Sequence, residues 1–318
     1  MAVSIRVDED GVTVDLTGSA EQRLAPVNAS YSMSYSGVAY ALRTQVSPDI
    51  PINEGFYRSF CVVAPEGTIV NARHPAAVAA GWEVCFRVTE AVFQALAQAV
   101  PDRVTAGSKG CICNVAFGGR VAGGYYAYYE TVAGGGGGRA VSDGMDGVQT
   151  HIHNTENASV EEIELSYPFR IRQVSLIEDS EGAGRFRGGL GVRRDYWFPD
   201  HAVRFSILSD RARFAPRGLL GGQSARPARY LRGADGAAIE LNYKATLDLE
   251  PGETISIQTP GGGGYGSPLE RDPDDVLRDV RAGKVSASRA ESAYGVVLDE
   301  PGEAVDRDVT ARLRAAAR

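Results

Sequence analysis

No stretch of this 318-residue chain reaches the ~18 consecutive apolar residues that a bilayer-spanning helix needs, so no membrane span is expected. A positive surface is missing as well. Lys and Arg number 33 against 40 Asp and Glu, for a net charge of −7 and a pI near 5.3. Holding nucleic-acid phosphates or an anionic membrane requires a basic field that survives salt screening, so neither partner is expected. Arginine is dense from Arg185 to Arg194 and from Arg204 to Arg217, but apolar residues interleave it; these stretches read as solvated strand faces. Cysteine is scarce: Cys61, Cys85, Cys111 and Cys113 are too few and too irregularly spaced for a disulfide framework. Cys111 and Cys113 would share one face of a strand, yet zinc would need two further soft ligands nearby, so burial as structural thiols is the reading. The amino terminus, MAVSIRVDEDGVTVDL, alternates polar with apolar residues and carries acids, which describes a strand and not a signal peptide. These features place the chain in the reducing cytoplasm. No Gly-x-Ser-x-Gly elbow occurs, and no glycine run continues into Gly-Lys-Ser/Thr or opens a helix after a strand. A serine triad, direct ATP binding and a dinucleotide site are therefore unsupported.

Glycine is abundant instead, with 38 residues concentrated in Gly134–Gly138, in Gly182–Gly191 and in Gly261–Gly264. Short alternating or β-branched runs surround these clusters: 12–16, 68–71, 163–165, 169–177, 203–208 and 254–258. The expected fold class is α+β, built from β-rich mixed sheets with long glycine-rich loops. One long buried helix is expected near 82–100, where Val84, Val88, Val92, Leu96 and Val100 recur every four residues and Pro101 closes the pattern. A second helix is expected over 31–44. Residues 1–268 are expected to form the β-rich domain, and 269–318 a helical C-terminal region docking on the core or on a partner subunit. Within that region Asp272 caps and Pro273 opens a first short helix, Ala282-Gly283 separates it from a second, and the charged end is frayed or helical on a partner.

Three constellations carry possible chemistry. In DGMDGVQTHIHNTEN, residues 143–157, His151 and His153 share a face if the segment is a strand. With Asp146 they form the candidate catalytic set, and Asn154 is a candidate substrate contact. The same groups suit a metal site or plain backbone hydrogen bonding, and no metal ligand is assigned among them. Five consecutive glycines are costly to order. Gly134, Gly135 and Gly136 are therefore read as part of a mobile lid or of a close approach to substrate. Arg73 and His74, beside Pro75, are candidate substrate-binding residues for an anion or a carbonyl; the alternative is a loop that merely precedes a helix.

Taken in order, VNASYSMSYSGVAYALR, DIPINEGFYRSFCVVAPEGTIVNARHPAAV, PDRVTAGSKG, DGMDGVQTHIHNTENASVEEIELSYPFRI, DSEGAGRFRGGLGVRRDY, LSDRARFAPRGLLGG and TPGGGGYGSPLERDPDDVLRDV resemble the carboxyl-terminal half of the hydantoinase B/oxoprolinase family. The collinear match spans nearly the whole chain. The resemblance implies an enzyme of several subunits that uses ATP and Mg²⁺ or Mn²⁺, both bound by partners. One expected partner supplies the family's amino-terminal half, whose Asn-Asp-Pro, Gly-Gly-Thr-His and His-His-Asp segments are missing here; another is a hydantoinase-A-type ATP-binding subunit. Relatives either open cyclic amides through a phosphorylated amide oxygen or carboxylate ketones through phosphorylated intermediates, which must be shielded from water. Subdivision into smaller chains favours the acetophenone-carboxylase arrangement. The alternatives are an ATP-dependent cyclic amide hydrolase and a structural scaffold subunit.

Overall fold

The computed structural model describes residues 1–9, 11–233, 238–299 and 302–317. Asp10 in the amino-terminal strand pattern and Pro301 at the start of the tail lie outside them. The chain forms two compact units, one of residues 1–104 with 151–154, the other of 105–150 with 155–318.

In the first unit, β1 (Ser4–Asp8) and β2 (Gly11–Asp15) pair antiparallel. α1 (Tyr31–Arg43) and the short α2 (Glu54–Tyr57) follow, then β3 (Phe60–Val63), which joins β2 in parallel. α3 (Gly81–Leu96) is the expected long helix. Val84, Val88 and Val92 are buried as its spacing demands, but the helix ends a turn before Val100. Proline disfavours helical backbone at the residue before it, and Val100 is extended at φ −134°. α1 crosses α3 at Gly37, where a Cβ would lie 2.8 Å from the Cys85 carbonyl. Thr89 Oγ1 donates to the Gly37 carbonyl at 3.1 Å and Cys85 Sγ to that of Met33 at 3.0 Å, so the helices touch backbone to side chain.

The second unit contains β4 (Asn114–Val121), β5 (Gly124–Thr131), α4 (Val160–Ser166), β6 (Arg170–Leu176), β7 (Val192–Trp197), β8 (Val203–Leu208), β9 (Arg229–Arg232), β10 (Ile239–Glu240), β11 (Lys244–Leu249) and β12 (Thr254–Gln258). These strands make a four-stranded sheet, β11-β8-β4-β5, and a five-stranded sheet, β10-β9-β12-β7-β6, antiparallel throughout. Phe117 of β4 sits at the centre of the shared core. Its ring lies 4.9 Å from that of Phe169, 5.1 Å from Phe198 and 5.4 Å from Tyr196, within the range of favourable edge-to-face contact. The fold class is α+β, as expected.

Two strand expectations fail. Residues 163–165 are helical because Ser159 caps the start of α4, accepting from the Glu162 amide, with Glu161 and Glu162 in the first turn; that capping outweighs β-branching. Residues 68–71 form a tight turn held by isolated bridges. The carboxyl-terminal helices are α5 (Pro273–Arg281), α6 (Ala287–Tyr294) and α7 (Arg307–Ala316). Asp272 caps α5 by accepting from the Asp274 amide, and Gly283 separates α5 from α6 at φ +65°. Up to Ala316 the tail is helical and packs on this chain. Asp306 caps α7, and Arg314 donates to the Tyr294 carbonyl at 3.0 Å and to that of Arg271 at 2.8 Å. Val276, Val285, Ala290 and Tyr294 pack with Ala183 in a second core.

The glycine clusters meet one another inside the second unit. Gly136 donates to the Met145 carbonyl at 2.9 Å, Gly189 to Gly136 at 2.8 Å, Gly262 to Gly189 at 2.8 Å and Gly182 to Gly262 at 2.8 Å. Gly138 donates to Gly263 at 2.9 Å, and Gly263 to Gly107 at 2.7 Å. A Cβ on Gly188 would stand 1.7 Å from the Gly262 carbonyl oxygen, one on Gly262 1.8 Å from that of Gly136, and one on Gly135 2.2 Å from that of Gly189. None of these glycines has a positive φ, so the requirement is for space and not for left-handed backbone. Gly134 to Gly138 are all buried. The expectation of a mobile lid is thereby corrected: the close approach that demands glycine is backbone on backbone. Gly188→Ala and Gly262→Ala are each expected to cost upwards of about 4 kcal/mol or to abolish folding, whereas Gly123→Ala, with open space around it, should change stability by less than about 0.5 kcal/mol. Soluble yield and cooperative unfolding of the three variants check this; a stable Gly262→Ala protein would contradict it.

Candidate functional site

Both histidines of the 143–157 segment count with the first unit. His151 is a turn residue in left-handed backbone, φ +56°, a conformation a non-glycine side chain pays for and that concentrates at functional sites. Its half-buried ring lies 5.4 Å from the ring of Phe93, 5.9 Å from Tyr40 and 6.5 Å from Phe86, so α1 and α3 together supply an aromatic wall. His153 is half-buried two residues on, and Asn154 is exposed. The segment is a turn and not a strand, so the expected same-face geometry does not apply. Tyr40 also lines a cavity of about 370 Å³ with Tyr35, Phe56, Tyr57, Ile52 and Arg43. Arg43 donates to the carbonyls of Ser47, Pro48 and Ile50, so its charge is engaged by loop backbone. Among the described residues no three His, Cys, Asp or Glu side chains converge as a metal site.

Arg73 and His74 lie in the same unit, both exposed. Arg73 pairs with Glu66 at 3.2 Å, each side chain 64% exposed; a surface pair of this kind is worth little. The Arg73 amide donates to Gln22 Oε1 at 2.8 Å, and His74 precedes a cis proline.

Asp146 belongs to the second unit and to an ion network. Arg187 donates to it at 2.9 Å, Lys284 Nζ lies 2.9 Å from its other oxygen, and the Leu190 amide donates at 2.9 Å. Arg187 also reaches Asp279 at 3.0 Å, and Arg271 bridges Asp143, at 2.6 Å, to Asp279, at 2.7 Å. This network ties the loop at 143–146 and the Gly188 backbone to α5. The reading of the Arg185–Arg194 and Arg204–Arg217 stretches as solvated faces holds for Arg204, at 69% exposed. It fails for Arg187 and Arg194, each 4% exposed and paired with carboxylates, and for Arg211, which donates to the carbonyls of Lys109 and Ser108. Cys111 and Cys113 are buried and joined in no disulfide, but they precede β4 and do not lie in it, and Cys113 is left-handed at φ +56°. Gly134, Gly135 and Gly136 lie in the glycine packing and point no open face to a ligand.

Sequence reasoning missed a buried polar cluster at the end of β5. Lys109, fully buried, donates from Nζ to the Val132 carbonyl and to Gln149 Oε1, each at 2.5 Å. Gln149 Nε2 donates to Thr131 Oγ1 at 3.3 Å. Asn157 Nδ2 donates to Glu130 Oε1 at 2.9 Å and to the Thr131 carbonyl at 2.6 Å. The second Glu130 oxygen accepts from Arg194 Nε at 2.9 Å and from the Tyr196 hydroxyl. Burial first, then the Glu130 charge, pushes the Tyr196 phenol far above its usual range, so it stays a donor. The available signals were weak: Lys109 is one of three lysines in the chain, and Glu130 is the sole acid of an aromatic strand.

Residues 1–268 match the family model described as hydantoinase B/oxoprolinase. The β subunit of caprolactamase from Pseudomonas jessenii is 34% identical over 328 residues, covering 99% of this chain and 56% of that one. The crystal structure of the ATP-dependent caprolactamase of that organism superposes with a TM-score of 0.87 at 31% identity, over 98% of this chain and 56% of the other. 5-Oxoprolinase 1 of Arabidopsis thaliana is 36% identical over 269 residues, 84% of this chain and 20% of its own. A nucleotide-free acetone carboxylase superposes with a TM-score of 0.85 at 22% identity, over 99% of this chain and 48% of that chain; this likeness shows the fold. The chain spans about half the length of the curated relatives it matches first.

The ion network generates a pH prediction. Burial alone would raise the Asp146 carboxyl, but hydrogen bonds from Arg187 and Lys284 outweigh it and hold it below its ordinary 3.8. A depressed carboxylate contributes stability that is present above the ordinary value and lost as pH falls through the depressed one. Asp146→Asn, which leaves Arg187 underpaired, is expected to cost about 3 kcal/mol at neutral pH and to flatten the acid limb of the stability profile. Urea unfolding from neutral to acid pH checks both; unchanged stability would contradict the assignment.

Proposed function

The chain belongs to the hydantoinase B/oxoprolinase family, and we propose that it forms part of an ATP-dependent, multi-subunit enzyme that opens a cyclic amide. The observation that carries this reading is the collinear match over 98–99% of the chain to caprolactamase in both sequence and structure. ATP chemistry is assigned to a partner subunit. The amides of Gly136, Gly138, Gly182, Gly189, Gly262 and Gly263 already donate to carbonyls, which leaves those six no donor for phosphate, and no Gly-Lys-Ser/Thr follows the glycine runs. The remainder of the relatives' length, and whatever metal the reaction uses, lies outside these 318 residues on this reading.

His151 and His153 are proposed as the chain's contribution to proton transfer. An imidazole titrates near neutral pH, and ring opening needs a base for water and an acid for the departing nitrogen. Asn154, exposed on the same turn, is proposed to hydrogen-bond the substrate amide. The aromatic wall of Tyr40, Phe86 and Phe93 fixes the His151 ring and lowers water access, which suits an intermediate that water would otherwise destroy. Ketone carboxylation is the second reading, supported by the fold shared with acetone carboxylase.

The assembled enzyme should release ADP in step with ring opening of a hydantoin, 5-oxoproline or caprolactam, without bicarbonate. His153→Ala should lower kcat by about ten-fold or more at unchanged assembly. Labelled bicarbonate appearing in an acid-labile β-keto acid, with no turnover of cyclic amides, would decide for carboxylation. Robust ATP hydrolysis by this chain alone would overturn the division of labour.

A further inference from the structure

Residues 150–156 form no regular helix or strand, yet they carry His151, His153 and Asn154. The His151 ring rests on its aromatic wall, and the two ends of the segment are each held by a side-chain amide. At one end Gln149 is held from both sides of its amide, accepting from Lys109 Nζ at 2.5 Å and donating to Thr131 Oγ1 at 3.3 Å. At the other, Asn157 donates both amide hydrogens, to Glu130 Oε1 at 2.9 Å and to the Thr131 carbonyl at 2.6 Å. The two ends are therefore fastened to consecutive residues of one strand terminus, Glu130, Thr131 and Val132. That terminus is itself rigid. Glu130 and Arg194 have side chains 5% and 4% exposed and pair at 2.9 Å, Tyr196 donates to the same carboxylate, and Arg194 reaches the Ala158 carbonyl at 3.4 Å. Charge-assisted bonds in a buried setting are the strong ones, and a hydrogen-bond chain of this kind holds direction as well as distance.

We infer that Gln149 and Asn157 are positioning residues: two amide anchors that set the geometry of the histidine segment through the Lys109–Glu130–Arg194–Tyr196 cluster. The inference rests on the proposed role of His151 and His153 only for its effect on turnover. The core around Phe117 does not depend on the anchors, because the β4–β5 register and the Phe117 ring cluster are made by other residues. Removing an anchor should loosen the segment and leave the sheets intact. Misplacement of a reacting group by about 1 Å costs up to two orders of magnitude in rate, so the expected loss in kcat is about ten-fold or more.

The chain has four histidines, His74, His151, His153 and His201, which makes ring NMR of the full chain labelled in histidine a direct readout. His151 faces three aromatic rings and its signals are sensitive to small displacements; His201, bonded to the Tyr126 hydroxyl at 2.7 Å, reports on the second unit, and exposed His74 on the first. In Asn157→Ala and in Thr131→Val, the His151 and His153 signals should shift or broaden while those of His74 and His201 stay. Thr131→Ser, which keeps the acceptor for Gln149, should restore the wild-type spectrum. In the assembled enzyme Asn157→Ala should lower kcat by about ten-fold or more with KM little changed. Unmoved His151 and His153 signals in both variants would overturn the inference, as would loss of the His201 reference through unfolding. Signals that move while kcat stays at the wild-type value would uphold the positioning role and refute the catalytic reading of the histidines.

Discussion

Backbone packed directly on backbone is the constraint on which the second unit depends. Side chains normally keep segments several ångströms further apart, whereas Gly136, Gly189 and Gly262 bring three distant parts of the sequence within hydrogen-bond reach of one another. Ordering so many glycines is entropically expensive, and the return comes from satisfied amides in a space that admits no side chain. Because each carbonyl occupies the place a Cβ would take, the arrangement has no tolerance for substitution. The amides of Gly136, Gly189 and Gly262 are already spent on carbonyls, which supports the proposal that nucleotide chemistry lies elsewhere.

Two polar systems are attached to this packing. The ion network of Arg187, Arg271, Asp143, Asp146, Asp279 and Lys284 fastens the carboxyl-terminal helices to the glycine segments. The cluster at the end of β5 fastens both ends of the histidine segment, and Lys109, two residues past Gly107, enters it from the glycine side. Its own amide donates to the Gly135 carbonyl. A single chain of hydrogen bonds thus runs from the glycine packing through Lys109 and Gln149 to the start of the segment that bears His151.

The parts of the fold that local rules govern were legible in the sequence. A four-residue valine period specifies α3, Asp272 and Pro273 start α5, and alternation marks β2, β6, β8 and β12. Residues 163–165 misled because the apolar-polar-apolar run of Ile163, Glu164 and Leu165 is too short to tell strand from helix until the Ser159 cap is weighed. The glycine runs were legible as a need for close approach but not as to what approaches, since the partner segments are distant in sequence, as Gly136 is from Gly189 and Gly189 from Gly262. Buried Arg187 and Arg194 could not be told from their exposed neighbours for the same reason: their acids, Asp279 and Glu130, are distant in sequence. Of the candidate site, the histidine segment was visible by composition, while the anchors Gln149 and Asn157 carry no signal except through the strand end they grip.

Amide hydrogen exchange tests the central claim, that the glycine runs are the rigid interior of the second unit and not a lid. Peptides covering 134–138, 182–191 and 261–264 should be among the slowest to exchange, opening only with global unfolding of the unit, as expected for buried amides that are mostly hydrogen-bonded. Exchange of these peptides within seconds under native conditions, while the β4–β5 and β7–β12 ladders remain protected, would contradict it.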